Sequence, residues 1–163
     1  MTALAASARV IGQPLMRKLK RAVQLTLSDW RYLAIATIEL LIARVRFSAV
    51  GAEKILRGFQ APLSVPPQHP KSPLLNSDVE RLSWAIAVAA QRVPWRSDCF
   101  IKTIAADRWL RRHDLQADFY LGVAKDEQDV FAAHAWLRHG DFTVTGGRYD
   151  RFSTLIEPKK PHA

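Results

Sequence analysis

The chain has 163 residues, 48% of them hydrophobic, with 24 Lys and Arg against 15 Asp and Glu and a formal net charge of +9. That length makes one domain, or one domain with a helical extension, and the composition suits a buried core. A single cysteine excludes an internal disulfide, no CxxC or Cys/His cluster points to zinc, and a reducing cytoplasm fits both facts.

The charge is uneven. Residues 1–60 carry ten Lys and Arg against Asp29, Glu39 and Glu53, a balance of +7, whereas residues 61–163 carry fourteen against twelve, a balance of +2. Basic helices meet anionic lipid, acidic peptide or nucleic acid, or are simply a solvated face. The run Arg17-Lys18-Leu19-Lys20-Arg21 follows the mildly apolar start instead of preceding it, the wrong order for a secretory signal. Tyr32–Ile42 contains Glu39 and is too short to span a bilayer.

Taken in order, residues 14–27 read as a basic amphipathic helix with Leu15, Leu19, Ala22 and Val23 on one side. Ser28 and Asp29 are positioned to cap a second helix to about Phe47, and a short third covers Ala49–Arg57 and stops at Gly58. Five prolines between residues 60 and 76 forbid helix and mark a linker. This divides the chain into a basic helical segment 1–60, a linker 61–76 and a core 77–163. Ser77-Asp78-Val79-Glu80 has the form of a capping box, opening a helix to about Arg92 that Val93-Pro94 ends.

Pro94-Trp95-Arg96-Ser97-Asp98-Cys99 follows. Ser97 or Asp98 caps the next helix, from about Asp98 to Arg112, with Phe100, Ile101, Ile104, Ala105 and Trp109 at helical spacing. Cys99 therefore stands in a first helical turn, where the dipole and unpaired N–H groups favour a thiolate; the plain alternative is a small buried apolar residue. The period then changes to two. Residues 117–123, 130–137 and 142–145 read as strands, an acidic turn region lies at 125–129, His139-Gly140-Asp141 turns a hairpin, and a tail strand fits near 152–156. Helices followed by an antiparallel meander make an α+β protein.

His134 lies 35 residues after Cys99, within Ala133-His134-Ala135-Trp136, and shares a strand face with Trp136 while the two alanines face a helix. A histidine returned to the helix start takes the thiol proton. On spacing alone a structural histidine fits as well as a catalytic one.

Val93-Pro94-Trp95, Ser97-Asp98-Cys99, the run Ala105–Arg112, Tyr120-Leu121-Gly122-Val123 and Ala133-His134-Ala135-Trp136-Leu137 together resemble the bacterial lasso peptide B proteins, leader peptidases related to the microcin-processing protein. The resemblance covers about a third of the chain. It implies a transglutaminase-like, papain-like core with a Cys-His-Asp triad and no metal or organic cofactor. It implies a cysteine peptidase that cuts the leader from a ribosomally made lasso precursor. The partners implied are that precursor, a separate leader-recognition protein, the ring-forming cyclase and an export transporter, with no nucleic acid; the basic segment adds peripheral membrane contact as an option. Two other readings stay open. One is a transglutaminase-like amidase or acyl transferase on another substrate. The other is a non-catalytic peptide- or membrane-binding module.

The family places its aspartate about a dozen residues after the histidine, and here Gly146 fills that place. A hairpin turning at 139–141 sets His134 opposite roughly Thr145–Gly147. Asp141 is then roughly 20 Å away at about 3.3 Å per residue. Asp150 returns only if the chain bends at Gly146-Gly147, and it is the expected third member of Cys99, His134, Asp150. Thr145 or a backbone carbonyl is the alternative.

Overall fold

The computed structural model describes residues 25–60, 76–125 and 130–158. The expected helix over 14–27 lies almost wholly outside them, as do nearly all of the proline linker and most of the acidic turn. The chain divides into two compact units, residues 1–31 and 32–163. Helix α1 (Leu27–Val50) starts in the first and continues through the second.

In the first unit the cap of α1 is Thr26, not Ser28. The Thr26 N–H donates to Asp29 Oδ2 (2.9 Å) and the Asp29 N–H donates to Thr26 Oγ1 (3.2 Å). This is a capping box with Asp in place of Glu, so Asp29 serves as its third residue.

In the second unit α1 runs three residues past Phe47 and stops at Gly51, whose φ of 81° only glycine adopts freely. Helix α2 (Ala52–Gln60) passes through Gly58 instead of ending there. Phe59 stacks on Phe119 at 4.2 Å, and that contact holds the extra turn. Helix α3 spans Asn76–Ala90, with Val79, Leu82, Ala85, Ile86 and Ala89 buried at helical spacing. Helix α4 (Cys99–Arg112) buries Ile101, Ile104, Ala105, Trp109 and Leu110.

The strands are β1 (Asp118–Lys125), β2 (Phe131–His139), β3 (Phe142–Thr145) and β4 (Ser153–Ile156), in the antiparallel order β3-β2-β1-β4. The tail strand thus returns across the sheet to the free edge of β1. Residues 146–152 make that crossing. One sheet face joins the helices, because Phe119, Ala135, Leu137 and Val144 belong to the same buried core as Leu40, Leu82, Ile101 and Leu110. Strand alternation turns Tyr120, His134 and Trp136 to the other face. There Tyr149 stacks on Trp136 (5.0 Å) and Phe152 on His134 (4.7 Å). A Cβ on Gly122 would sit 3.0 Å from Phe152 Cβ and from the Ser153 carbonyl, so the crossing segment packs where β1 carries no side chain.

Two carboxylates are buried among the helices. Glu39 accepts from Arg108 Nε (2.8 Å) and from Arg112 Nη2. Asp107 accepts from Arg111 Nε with both oxygens (2.9 and 2.8 Å). Burial holds the Asp107 carboxyl above its ordinary 3.8, despite the opposing pull of Arg111 and Arg46. The sign follows: a raised folded-state value stabilises the fold in acid and loses that contribution as pH rises through it. Asp107→Asn is therefore expected to melt no lower than the parent at pH 7, with the difference vanishing toward pH 3, as thermal unfolding at both values checks.

Candidate functional site

Asp98 is the N-cap of α4: its side chain accepts from the Ile101 N–H at 3.2 Å and its carbonyl accepts from the Lys102 N–H at 3.1 Å. Of the two cap residues expected, Asp98 serves. Cys99 is the first helical residue and is half-buried against the core. Just upstream, Trp95 Nε1 and Ser97 Oγ are buried and make no hydrogen bond among the described residues.

His134 sits in the first half of β2, paired with Gly122 of β1. Its Nε2–H donates to the Gly146 carbonyl at 2.6 Å. A carbonyl only accepts, so this bond puts a proton on Nε2 and leaves Nδ1 of the neutral ring with its lone pair. Among the described residues the partner of Nε2 is thus a main-chain carbonyl and not a carboxylate. The β2–β3 ladder stops at Leu137 opposite Thr145, with a register shift beside it. Gly146 therefore reaches the imidazole through its carbonyl and not as a ladder partner. Its φ is 102°, and a Cβ there would lie 2.2 Å from Trp136 Cβ and 2.8 Å from Trp136 Cα.

Asp150 is exposed in the turn between Tyr149 and Phe152, and among the described residues no hydrogen bond or ion pair joins it to His134. Asp141 is exposed at the far end of the sheet, beside Arg138 at 3.8 Å. No group of three or more His, Cys, Asp or Glu among the described residues could hold a metal ion. No helix of these residues is long and apolar enough to cross a membrane.

Chain direction brings Cys99 and His134 to one end of the layers. Helix α4 leads by a short turn into β1, so the end of β1 and the start of β2 return toward the start of α4. Among the described residues no hydrogen bond joins thiol to ring.

A family model of the transglutaminase-like superfamily matches residues 40–157, well over half of the chain. The chain belongs to the transglutaminase-like superfamily. No curated protein and no solved structure matches it. Cysteine hydrolases and transferases are common in this superfamily, and the mixed helical and antiparallel fold is the expected one. The superfamily match begins inside α1, whose Leu40 and Ala43 are fully buried in the shared core.

Sequence reasoning missed two parts of this site. Phe152 covers the ring because β4 crosses the sheet, which no local pattern announces. Thr103, inside the cysteine helix, bonds across to β3, and an isolated threonine at a helix interior gives no sign of that.

Proposed function

We propose that this transglutaminase-like chain is a cysteine peptidase that removes the leader from a lasso-type precursor peptide. The observation that carries the reading is the His134–Gly146 hydrogen bond, which fixes the tautomer a general base needs. In the reaction, Nδ1 of His134 takes the proton of the Cys99 thiol, and the thiolate attacks the scissile carbonyl carbon. The oxyanion accepts from N–H groups that open α4. The imidazolium protonates the leaving amine as the C–N bond breaks. Water, deprotonated by the same nitrogen, then releases the acyl group as a carboxylic acid. Substrate binding at this end of the fold draws ring and thiol into reach; such bonds often tighten only in the complex. The precursor is delivered by a separate leader-recognition protein and passed on to the cyclase and exporter.

The test is incubation with a lasso-type precursor peptide, followed by mass spectrometry. Cys99→Ala is expected to lower turnover at least ~10³-fold, and His134→Ala by ~10²–10⁴-fold. Asp150→Asn should change little, because the Gly146 carbonyl already holds the ring. Undiminished cleavage by Cys99→Ala would sink the reading.

One observation favours a second reading. Among the described residues no hydrogen bond joins thiol and imidazole, as in a binding module that keeps the scaffold without the chemistry. Such a module tolerates Cys99→Ala with its peptide affinity intact.

A further inference from the structure

Cys99 opens α4 and His134 lies in β2, and among the described residues no hydrogen bond joins thiol to ring, so their relation depends on what ties the helix to the strands. A buried pair of hydroxyls does so. Thr103 is fully buried one turn into α4, and its hydroxyl donates to the Cys99 carbonyl at 2.9 Å. The same oxygen lies 3.1 Å from Thr145 Oγ1, also buried, at the end of β3. Proton counting gives the direction. A hydroxyl has one proton, Thr103 spends its own on Cys99, and so Thr145 is the donor to Thr103. The next residue after Thr145 is Gly146, whose carbonyl accepts from His134. Thr145 thus reaches the helices with its side chain, while the following peptide turns its oxygen to the ring.

We infer that Thr103 and Thr145 are positioning residues: their hydroxyl bond locks the first turn of the cysteine helix to the segment that orients His134. The geometry gives the bond this weight because Thr145 is the last ladder residue before Gly146; the other tie here, Ser83 Oγ donating to the Val144 carbonyl at 2.7 Å, lies one residue farther back. The β2–β3 ladder has ended at Thr145, and both Gly146 and Gly147 have positive φ (102° and 58°), outside any strand. Without the anchor at Thr145 the carbonyl can swing, and the ring loses the acceptor that Nε2 has among the described residues. The inference rests on the peptidase reading for its purpose, though not for its test.

The experiment compares wild type with Thr145→Val, Thr145→Ser and Thr103→Val. Two readouts are used: the ¹⁵N shifts of the His134 ring, and the rate of Cys99 alkylation by iodoacetamide at pH 7. In wild type the shifts should show the proton on Nε2. Thr145→Val is nearly isosteric and should stay folded by circular dichroism. It should give a mixture of tautomers, and alkylation should fall about five- to tenfold, the scale of one lost hydrogen bond. Thr145→Ser, which restores the hydroxyl, should recover both. Thr103→Val should match Thr145→Val. If the valine variants lower the melting temperature while the ring shifts and alkylation rate stay as in wild type, the pair is structural only and the inference is wrong. Should valine at both positions unfold the chain, the serine variant decides: a folded Thr145→Ser with a mixed tautomer overturns the inference, and one with the wild-type tautomer supports it. Failure of the peptidase reading shows separately, as absence of precursor cleavage by a wild type whose ring is correctly held.

Discussion

Gly146→Ala is expected to damage both stability and turnover. The added Cβ would lie 2.2 Å from Trp136 Cβ and 2.8 Å from Trp136 Cα, so a β2 backbone atom stands in its way and no side-chain rotation clears it. The φ of 102° adds strain for any L-residue with a side chain. Strain and overpacking together cost about 3 kcal/mol or more. In a chain of this length that lowers the melting temperature by roughly 6–12 °C. The same displacement moves the carbonyl that holds His134, and misplacement of about 1 Å in a catalytic group costs ~10²-fold in rate. Gly147→Ala is the control. Its φ is also positive, at 58°, but a Cβ there meets nothing within 4 Å. It should lose only about 1 kcal/mol and keep its turnover. Calorimetry and peptide cleavage on the two variants check this. Equal losses at both positions would mean that backbone conformation alone matters, not the approach to Trp136.

The other large effect is expected at the buried carboxylate of Glu39. Its side chain is 1% exposed, while those of its partners Arg108 and Arg112 are 25% and 52% exposed. The consequence is asymmetric. Glu39→Met removes the buried charge and leaves two guanidinium groups that already touch water. Arg108→Met with Arg112→Met strands a carboxylate in the core, which costs about 3–5 kcal/mol. Arg112, being half-exposed, contributes the smaller share. Urea unfolding should therefore rank the double arginine variant well below Glu39→Met, and adding Glu39→Met to it should restore most of the loss. If the double arginine variant is the more stable of the two, Glu39 is not held as a charge by these arginines.

Cys99 at a helix start, with Ser97 or Asp98 as the cap, could be read from Pro94 through Arg112 because caps, proline stops and 3.6-residue spacing are local signals. The meander was equally legible: period-two runs and the His139-Gly140-Asp141 turn fix the neighbours β1, β2 and β3. The boundary errors have local causes too. Gly58 looked like a helix stop, and the stacking of Phe59 on Phe119 overrode it. Thr26 gives a weak signal as a cap because Ser28 and Asp29 after it are cap formers themselves, and only the fold shows Asp29 as the third residue of a capping box.

The parts of the site that escaped are those made by distant chain. The crossing of residues 146–152 depends on β4 choosing the edge of β1 over that of β3. That choice follows from the room left by Gly122 and from Phe152 and Tyr149 finding ring partners, neither of which has a period. The acceptor for His134 was narrowed to a few candidates, since a backbone carbonyl carries no residue signature. Every residue has one, and only the positive φ of Gly146 turns this one to the ring.

The Gly146 carbonyl has a consequence for how the protein responds to acid and to mutation. A carboxylate acceptor takes up a proton as the medium acidifies and then ceases to be the same partner. An amide oxygen has no such titration in the accessible range, so the hold on His134 Nε2 does not switch off with pH. Nor can it be deleted by exchanging a side chain, because the atom belongs to the main chain. Selection at position 146 acts on shape alone, through what Trp136 and a φ of 102° will admit.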